Sequence, residues 1–210
     1  MDINNPIGYK SFKPNQNPLI MNPFRFASTP AIARVGSWSM ATRVTTLAHS
    51  NGSGTNRIMV VVTSGEDNTA TRNVTGIDYG GQALTYRIKL NYGTYQFEEI
   101  WYLLETKIAS ASNTTITVTY DTPPNNFLKM IHAGTYENVD QTTPMPESAS
   151  GSTTSSTPNP LTDVDIAEAN GNAIVAAANN STPTTITWNA SLTEQTDEGP
   201  SGHSLSVADR

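Results

Sequence analysis

The chain contains no cysteine, which excludes a disulfide scaffold, zinc–thiolate and iron–sulfur sites, and thiol catalysis. Charge is also scarce, at 14% of residues against about 25% in ordinary globular domains. Long apolar runs are missing: residues 58–62 (Ile-Met-Val-Val-Val) make one of five residues, and none approaches the roughly 20 needed to span a bilayer as a helix. The N-terminal Met1-Asp2-Ile3-Asn4-Asn5-Pro6 has neither the basic nor the apolar region of a secretory signal. The three histidines, His49, His132 and His203, lie far apart without metal-ligand spacing, and read as turn or packed-strand groups. No Gly-x-Ser-x-Gly elbow supports a Ser/His/Asp triad. Paired carboxylates could cleave a glycoside, and Glu98-Glu99, Glu66-Asp67 and Glu137/Asp140 are available. Adjacent strand residues point to opposite faces, however, so Glu98 and Glu99 cannot share a cleft. These absences predict a protein that is not an enzyme.

What fills the space is Thr, Ser and Asn, which number 30, 19 and 20 of the 210 residues. Ile, Leu, Val and Phe total 40 of 210, just under the fifth below which disorder is suspected. That suspicion requires a high net charge, and −6 is mild, so the chain is expected to fold. Its length fits one domain with an arm and buries roughly 70% of the unfolded surface without a staple. After residue 139 the same four apolar types fall to 9 of 71 residues, so this last third must lean on the rest. Charge divides in the same way. Residues 1–129 hold 11 Lys/Arg and 8 Asp/Glu, a net of +3, whereas residues 130–210 hold 10 acidic residues and only Arg210 as a base, a net of −9. Such asymmetry can steer one subunit onto its neighbour. The basic residues stand singly and form no stripe, so no nucleic-acid partner is expected.

Residues 1–36 read as an extended arm. Pro6, Pro14, Pro18, Pro23 and Pro30 forbid a helix, and Tyr9, Phe12, Phe24 and Phe26 are the groups with which an arm would dock on a surface. From 37 to 210 the chain reads as short strands. Trp38, Met40 and Val44 alternate with polar residues. Residues 57–63 form a strand rich in β-branched residues around the apolar run 58–62, as expected where both faces of a strand are covered. Residues 74–78 and 82–90 flank a glycine turn as a hairpin. Residues 114–120 alternate Thr with apolar side chains, and 128–139 follow. Residues 161–167 and 173–178 suggest a second hairpin, with 184–188 and 203–208 as shorter strands. The stretch holding Phe97, Ile100, Trp101, Leu104 and Ile108 fits helical spacing as well as a strand, and its surroundings favour the strand. Residues 140–160 form a Ser/Thr/Pro loop. The prediction is an all-β fold, an antiparallel β-sandwich.

Six segments, in order, also resemble a known pattern: 56–62, 76–85 (Gly-Ile-Asp-Tyr-Gly-Gly-Gln-Ala-Leu-Thr), 100–103 (Ile-Trp-Tyr-Leu), 114–120, 135–144 (Thr-Tyr-Glu-Asn-Val-Asp-Gln-Thr-Thr-Pro) and 170–175 (Asn-Gly-Asn-Ala-Ile-Val). Together they resemble an uncharacterised β-sandwich module of large secreted bacterial proteins and phage structural proteins, over residues 38–208. The resemblance implies a jelly-roll-like fold and a surface role, and it brings no catalytic residues. It also implies a further strand beyond 204–210; a sandwich short of that strand would have an open edge that invites a neighbour.

Ligand candidates are few. Tyr92 and Tyr95 frame a loop tip, where aromatic rings can stack on sugar. Glu66 with Asp67, or Asp163 with Asp165, offer hard oxygens to calcium, although no cofactor is required and solvated acids are the plainer reading. Six N-glycosylation sequons, at Asn51, Asn73, Asn113, Asn179, Asn180 and Asn189, are about what this Asn/Ser/Thr content yields by chance. The functional expectation is a structural subunit of an extracellular filament, cell surface or virion. Its partners would be copies of itself or a neighbouring structural protein, met through the arm and by strand addition. A carbohydrate-binding or adhesin module is the alternative.

Overall fold

The structure, a computed structural model, describes residues 30–67, 72–92, 95–122, 128–151, 171–179, 188, 191–199 and 203–210. Tyr9, Phe12, Phe24 and Phe26 of the arm, and the acids Asp163 and Asp165, lie outside the described residues.

The strands are β1 (Ala33–Thr42), β2 (Thr46–Ala48), β3 (Ile58–Glu66), β4 (Val74–Tyr79), β5 (Gln82–Ala83), β6 (Thr85–Tyr92), β7 (Gln96–Leu104), β8 (Thr115–Tyr120), β9 (Leu128–Glu137), β10 (Ile174–Asn179), β11 (Thr193–Glu198) and β12 (Ser204–Asp209). One short helix, α1 (Glu105–Ser110), follows β7. The pairing is nested and antiparallel: β1 with β9, β2 with β8, β3 with β7, and β4 with β5. Ladders β3–β9 and β4–β8 then join the nested pairs into sheets ordered β1-β9-β3-β7-β6 and β2-β8-β4-β5. This is a jelly roll, a long hairpin rolled into two facing sheets, and it is complete between Ala33 and Glu137. The sandwich therefore starts inside the stretch expected to be arm, since β1 begins at Ala33 rather than after residue 36.

Between Tyr79 and Gln82 the chain turns through Gly80 (φ +53°) and Gly81 (φ +83°), the two positive φ values of a type I′ turn. A Cβ at Gly80 would also stand 2.5 Å from the Asn113 carbonyl oxygen. The expected hairpin forms for only two residue pairs, Asp78–Ala83 and Tyr79–Gln82. The strand then crosses to the other sheet and continues as β6 along β7.

β10, β12 and β11 make a third, separate sheet in that order. The last strand is therefore central, flanked on both sides, and does not leave the open edge expected at 204–210. Two apolar layers result. Met59 and Val61 of β3, Trp101 and Leu103 of β7, and Ile131 and Ala133 of β9 pack toward Ile77, Ile116 and Val118 of the four-stranded sheet. Ile58, Val60, Val62 and Met130 face the other way, toward Leu205 and Val207 of β12 and Ile174, Ala176 and Ala178 of β10. β3 thus sits in a sheet sandwiched between two others, which explains its unbroken apolar run. Each fully buried Val or Ile contributes about 1.5–3 kcal/mol. The 97–108 stretch divides the two readings: it is strand to Leu104, then one turn and a half of helix whose Ile108 drops into the first layer.

Candidate functional site

The chemistry is concentrated in the seam between the five-stranded sheet and the third sheet. At one end, the His203 imidazole is fully buried. Its Nε2 lies 3.1 Å from Ser64 Oγ, its Nδ1 lies 3.9 Å from Glu66 Oε2, and its ring stacks on Tyr92 (centroids 6.5 Å apart, planes 12° apart). Ser64 and Glu66 share one face of β3 because they are two residues apart. Glu98 of β7 projects into the same seam and accepts a hydrogen bond from the Ala178 backbone of β10. Farther along, His132 Nδ1 lies 2.6 Å from Thr196 Oγ1 of β11. At the far end, Trp38 Nε1 donates to Tyr136 Oη (3.1 Å), which donates to Asp209 Oδ2 (2.6 Å).

Burial sets the protonation states here. Desolvation lowers His132 and His203 to about 4, so both imidazoles are neutral at pH 7. Desolvation also raises Glu98 to about 7, against the opposing hydrogen bond from Ala178. The Tyr92 and Tyr136 phenols are pushed upward, first by burial; Glu98 and Glu66 add to the effect at Tyr92, and Asp209 at Tyr136.

Hydroxyl, imidazole and carboxylate stand in the order of a Ser/His/acid relay, assembled from positions 139 residues apart. Sequence reasoning missed it because no local motif marks it. Ser64 and His203 are each 0% exposed, and the 3.9 Å approach of Glu66 exceeds a hydrogen bond. The arrangement can hold two sheets together, with its hydroxyl and imidazole shut off from solvent.

At the opposite end of β3, a shallow cleft of about 530 Å³ is lined by Asn51, Gly52, Arg57, Tyr79, Ser112 and Asn113, among others. Its polar groups bond one another. The Arg57 guanidinium holds both Glu105 oxygens and the Gly52 carbonyl, and this grip lowers the Glu105 pKa. Asn51 Nδ2 donates to Tyr79 Oη, which donates to the His49 carbonyl. The His49 ring bridges Ser39 Oγ (3.0 Å) and Thr135 Oγ1 (2.9 Å), and burial lowers it to about 4. The cleft is a bonded cap on the sandwich.

The expected ligand residues do not converge. Tyr92 is not displayed at a loop tip: its ring lies in the seam on His203, because β6 runs on to that residue and turns the side chain inward. Tyr95 is half-buried, with its carbonyl accepting the Asp67 N–H at 3.3 Å. Asp67 is held by Arg72 Nε at 2.6 Å, while Glu66 faces His203. Among the described residues, no three His, Asp or Glu side chains come together as metal ligands. Glu98 and Glu99 do lie on opposite faces, Glu99 receiving Trp101 Nε1 (2.8 Å) and Lys89 Nζ (3.1 Å) in the first layer. Trp188 donates to Ser206 Oγ at 2.8 Å from outside any strand.

Fold and seam together define a jelly-roll β-sandwich that carries a third sheet fastened by buried polar bonds. Comparison with protein-family models, curated proteins and solved structures returned no match. Among the described residues, no helix is long and apolar enough to cross a membrane.

Proposed function

We propose that this protein is a non-enzymatic structural subunit of a filament or virion surface, joined to its neighbours through its N-terminal arm. One observation carries the reading: β1, the strand into which the arm runs, is an edge of the five-stranded sheet, with Ala33, Arg34, Gly36 and Ser37 exposed. An arm of five prolines and four aromatic residues thus enters the fold at its rim, where it can reach a second copy. The exposed edge also suits strand addition, and the +3/−9 division of charge favours head-to-tail contact. Deleting residues 1–29 should leave a folded protein that sediments as a monomer under conditions where the full chain assembles. Unchanged assembly would overturn the reading.

A carbohydrate-binding role draws support from a different aromatic than expected. Tyr86 is 50% exposed and packs edge-on against Trp101 at 5.3 Å, presenting a fixed ring to solvent. A glycan array that lights up for the full chain and goes dark for Tyr86→Ala would favour this second reading over the first.

A further inference from the structure

Lys89, Asn73 and Glu99 meet at the rim of the sandwich, away from both the seam and the cleft. Lys89 of β6 and Glu99 of β7 are paired directly across their ladder, and Lys89 Nζ stands 3.1 Å from Glu99 Oε1. The same nitrogen donates to the Asn73 side-chain carbonyl, Oδ1, at 3.1 Å. Asn73 belongs to the facing sheet, one residue ahead of β4. An amine from one sheet thus touches an amide from the other, with a carboxylate at equal distance.

Each of the three groups is held in place. Lys89 Nζ lies over the Phe97 ring, 5.1 Å from its centroid, and Phe97 is buried edge-on against Tyr120 at 6.4 Å. The Glu99 side chain is 3% exposed. Its other oxygen accepts the Trp101 Nε1 proton at 2.8 Å, which turns Oε1 toward the amine. Asp121 orients the Asn73 amide from the opposite side. Asn73 Nδ2 donates to Asp121 Oδ2 (2.8 Å), the Asn73 N–H to Asp121 Oδ1 (3.3 Å), and the Asp121 N–H to the Asn73 carbonyl (3.0 Å). A surface ion pair needs only two partners. Here the third partner is an acyl group, its carbonyl turned to the amine and its amide nitrogen gripped by a second acid.

We infer that Lys89 and Asn73 join in an intramolecular isopeptide bond, formed by the chain itself with Glu99 as the proton carrier. Glu99 Oε1 takes a proton from the Lys89 ammonium, and the neutral Nζ attacks Asn73 Cγ. Glu99 then delivers that proton to Nδ2, and the Cγ–Nδ2 bond breaks with its electron pair leaving on nitrogen. The second proton shed by Nζ passes through the same carboxylate to the departing ammonia, which leaves as ammonium on the exposed side of Asn73. One C–N bond forms, one breaks, Glu99 ends as the carboxylate it began as, and no co-reactant is consumed. Holding amine and amide in contact replaces the encounter that makes such exchange slow between free molecules. The bond ties the two sheets of the jelly roll covalently, in a chain that has no cysteine for a disulfide. It concerns a single copy and is independent of arm-mediated assembly.

The full chain, purified and folded, is weighed intact by mass spectrometry and then digested with trypsin. Its mass should fall short of the sequence by one ammonia. Trypsin should fail to cut after Lys89 and should release a branched peptide joining residues 73–87 to residues 88–107. Lys89→Arg should return the full mass, and so should Glu99→Gln, which keeps an acceptor for Trp101. The full sequence mass in the unmodified chain overturns the proposal, whether or not either variant folds. An ammonia loss that leaves Lys89 cleavable, or that persists in Lys89→Arg, overturns it too, because an asparagine succinimide sheds the same mass. A bond formed as completely in Glu99→Gln overturns Glu99 as the proton carrier.

Discussion

The Trp38 indole occupies the space that a side chain at Gly134 would need: a Cβ there would sit 2.2 Å from the ring. The indole is thereby pressed onto the backbone of β9, where its Nε1 reaches Tyr136. Gly134→Ala must push the ring outward, because the contact is with a rigid aromatic ring rather than a flexible chain end. The expected cost is about 1–3 kcal/mol, read as a lower urea midpoint with an unchanged slope. A midpoint equal to that of the unmodified chain would show that the indole is free to move.

Arg43 closes the β1–β2 corner at φ +60°, left-handed backbone that costs a non-glycine residue about 1–2 kcal/mol. Its side chain is exposed, and its N–H donates to the Lys129 carbonyl at 2.8 Å. Arg43→Gly removes the strain but enlarges the freedom of the unfolded chain. The net gain should be about 0.5–1 kcal/mol, seen as a melting temperature higher by roughly 1–4 °C. A lower melting temperature would mean that the arginine side chain makes a stabilising contact.

Glu98 and the buried histidines should bend the stability–pH curve in opposite senses. His49, His132 and His203 are lowered to about 4, so their contribution is whole above pH 6.5 and is lost as pH falls toward 4. Glu98 is raised to about 7, so its contribution is whole below pH 4.5 and is lost as pH rises through 7. Glu98→Gln keeps an acceptor for the Ala178 N–H and cannot ionise. At pH 8 it should be more stable than the unmodified chain by about 2–3 kcal/mol, with the difference shrinking at pH 5. Equal stabilities at pH 8 would place Glu98 in contact with solvent.

The Tyr92 hydroxyl is buried without a hydrogen-bond partner, while the ring stacks on His203. Tyr92→Phe keeps the stack and removes an unsatisfied polar group, so stability should rise or hold within about 1 kcal/mol. Tyr92→Ala should loosen the third sheet instead, seen as faster amide exchange across β12. Glycan binding lost in the Phe variant would return Tyr92 to the role of a displayed ligand residue.

Much of the fold was legible in the chain because strand patterns are local. The Thr-apolar alternation of 115–120, the apolar run of 58–62 and the Gly80-Gly81 turn each announce themselves within a few residues. β11 does not: Thr-Glu-Gln-Thr-Asp-Glu has no apolar face and low strand propensity, and it is a strand because β12 offers it a ladder. The seam was equally hidden. Ser64 and His203 are ordinary residues until they lie 3.1 Å apart, and nothing near Tyr92 in sequence says that its ring turns inward.

Composition and periodicity by themselves determined an all-β sandwich, a Pro-rich segment ahead of it, and a last third too poor in apolar residues to stand alone. Those properties follow from side-chain chemistry read a few residues at a time. Only the tertiary structure decided that the poor third becomes a separate sheet over the jelly roll, that its ties are neutral imidazoles and a protonatable carboxyl, and that the final strand is central rather than open. These depend on which distant residues share a desolvated space, and desolvation is a property of the packed fold.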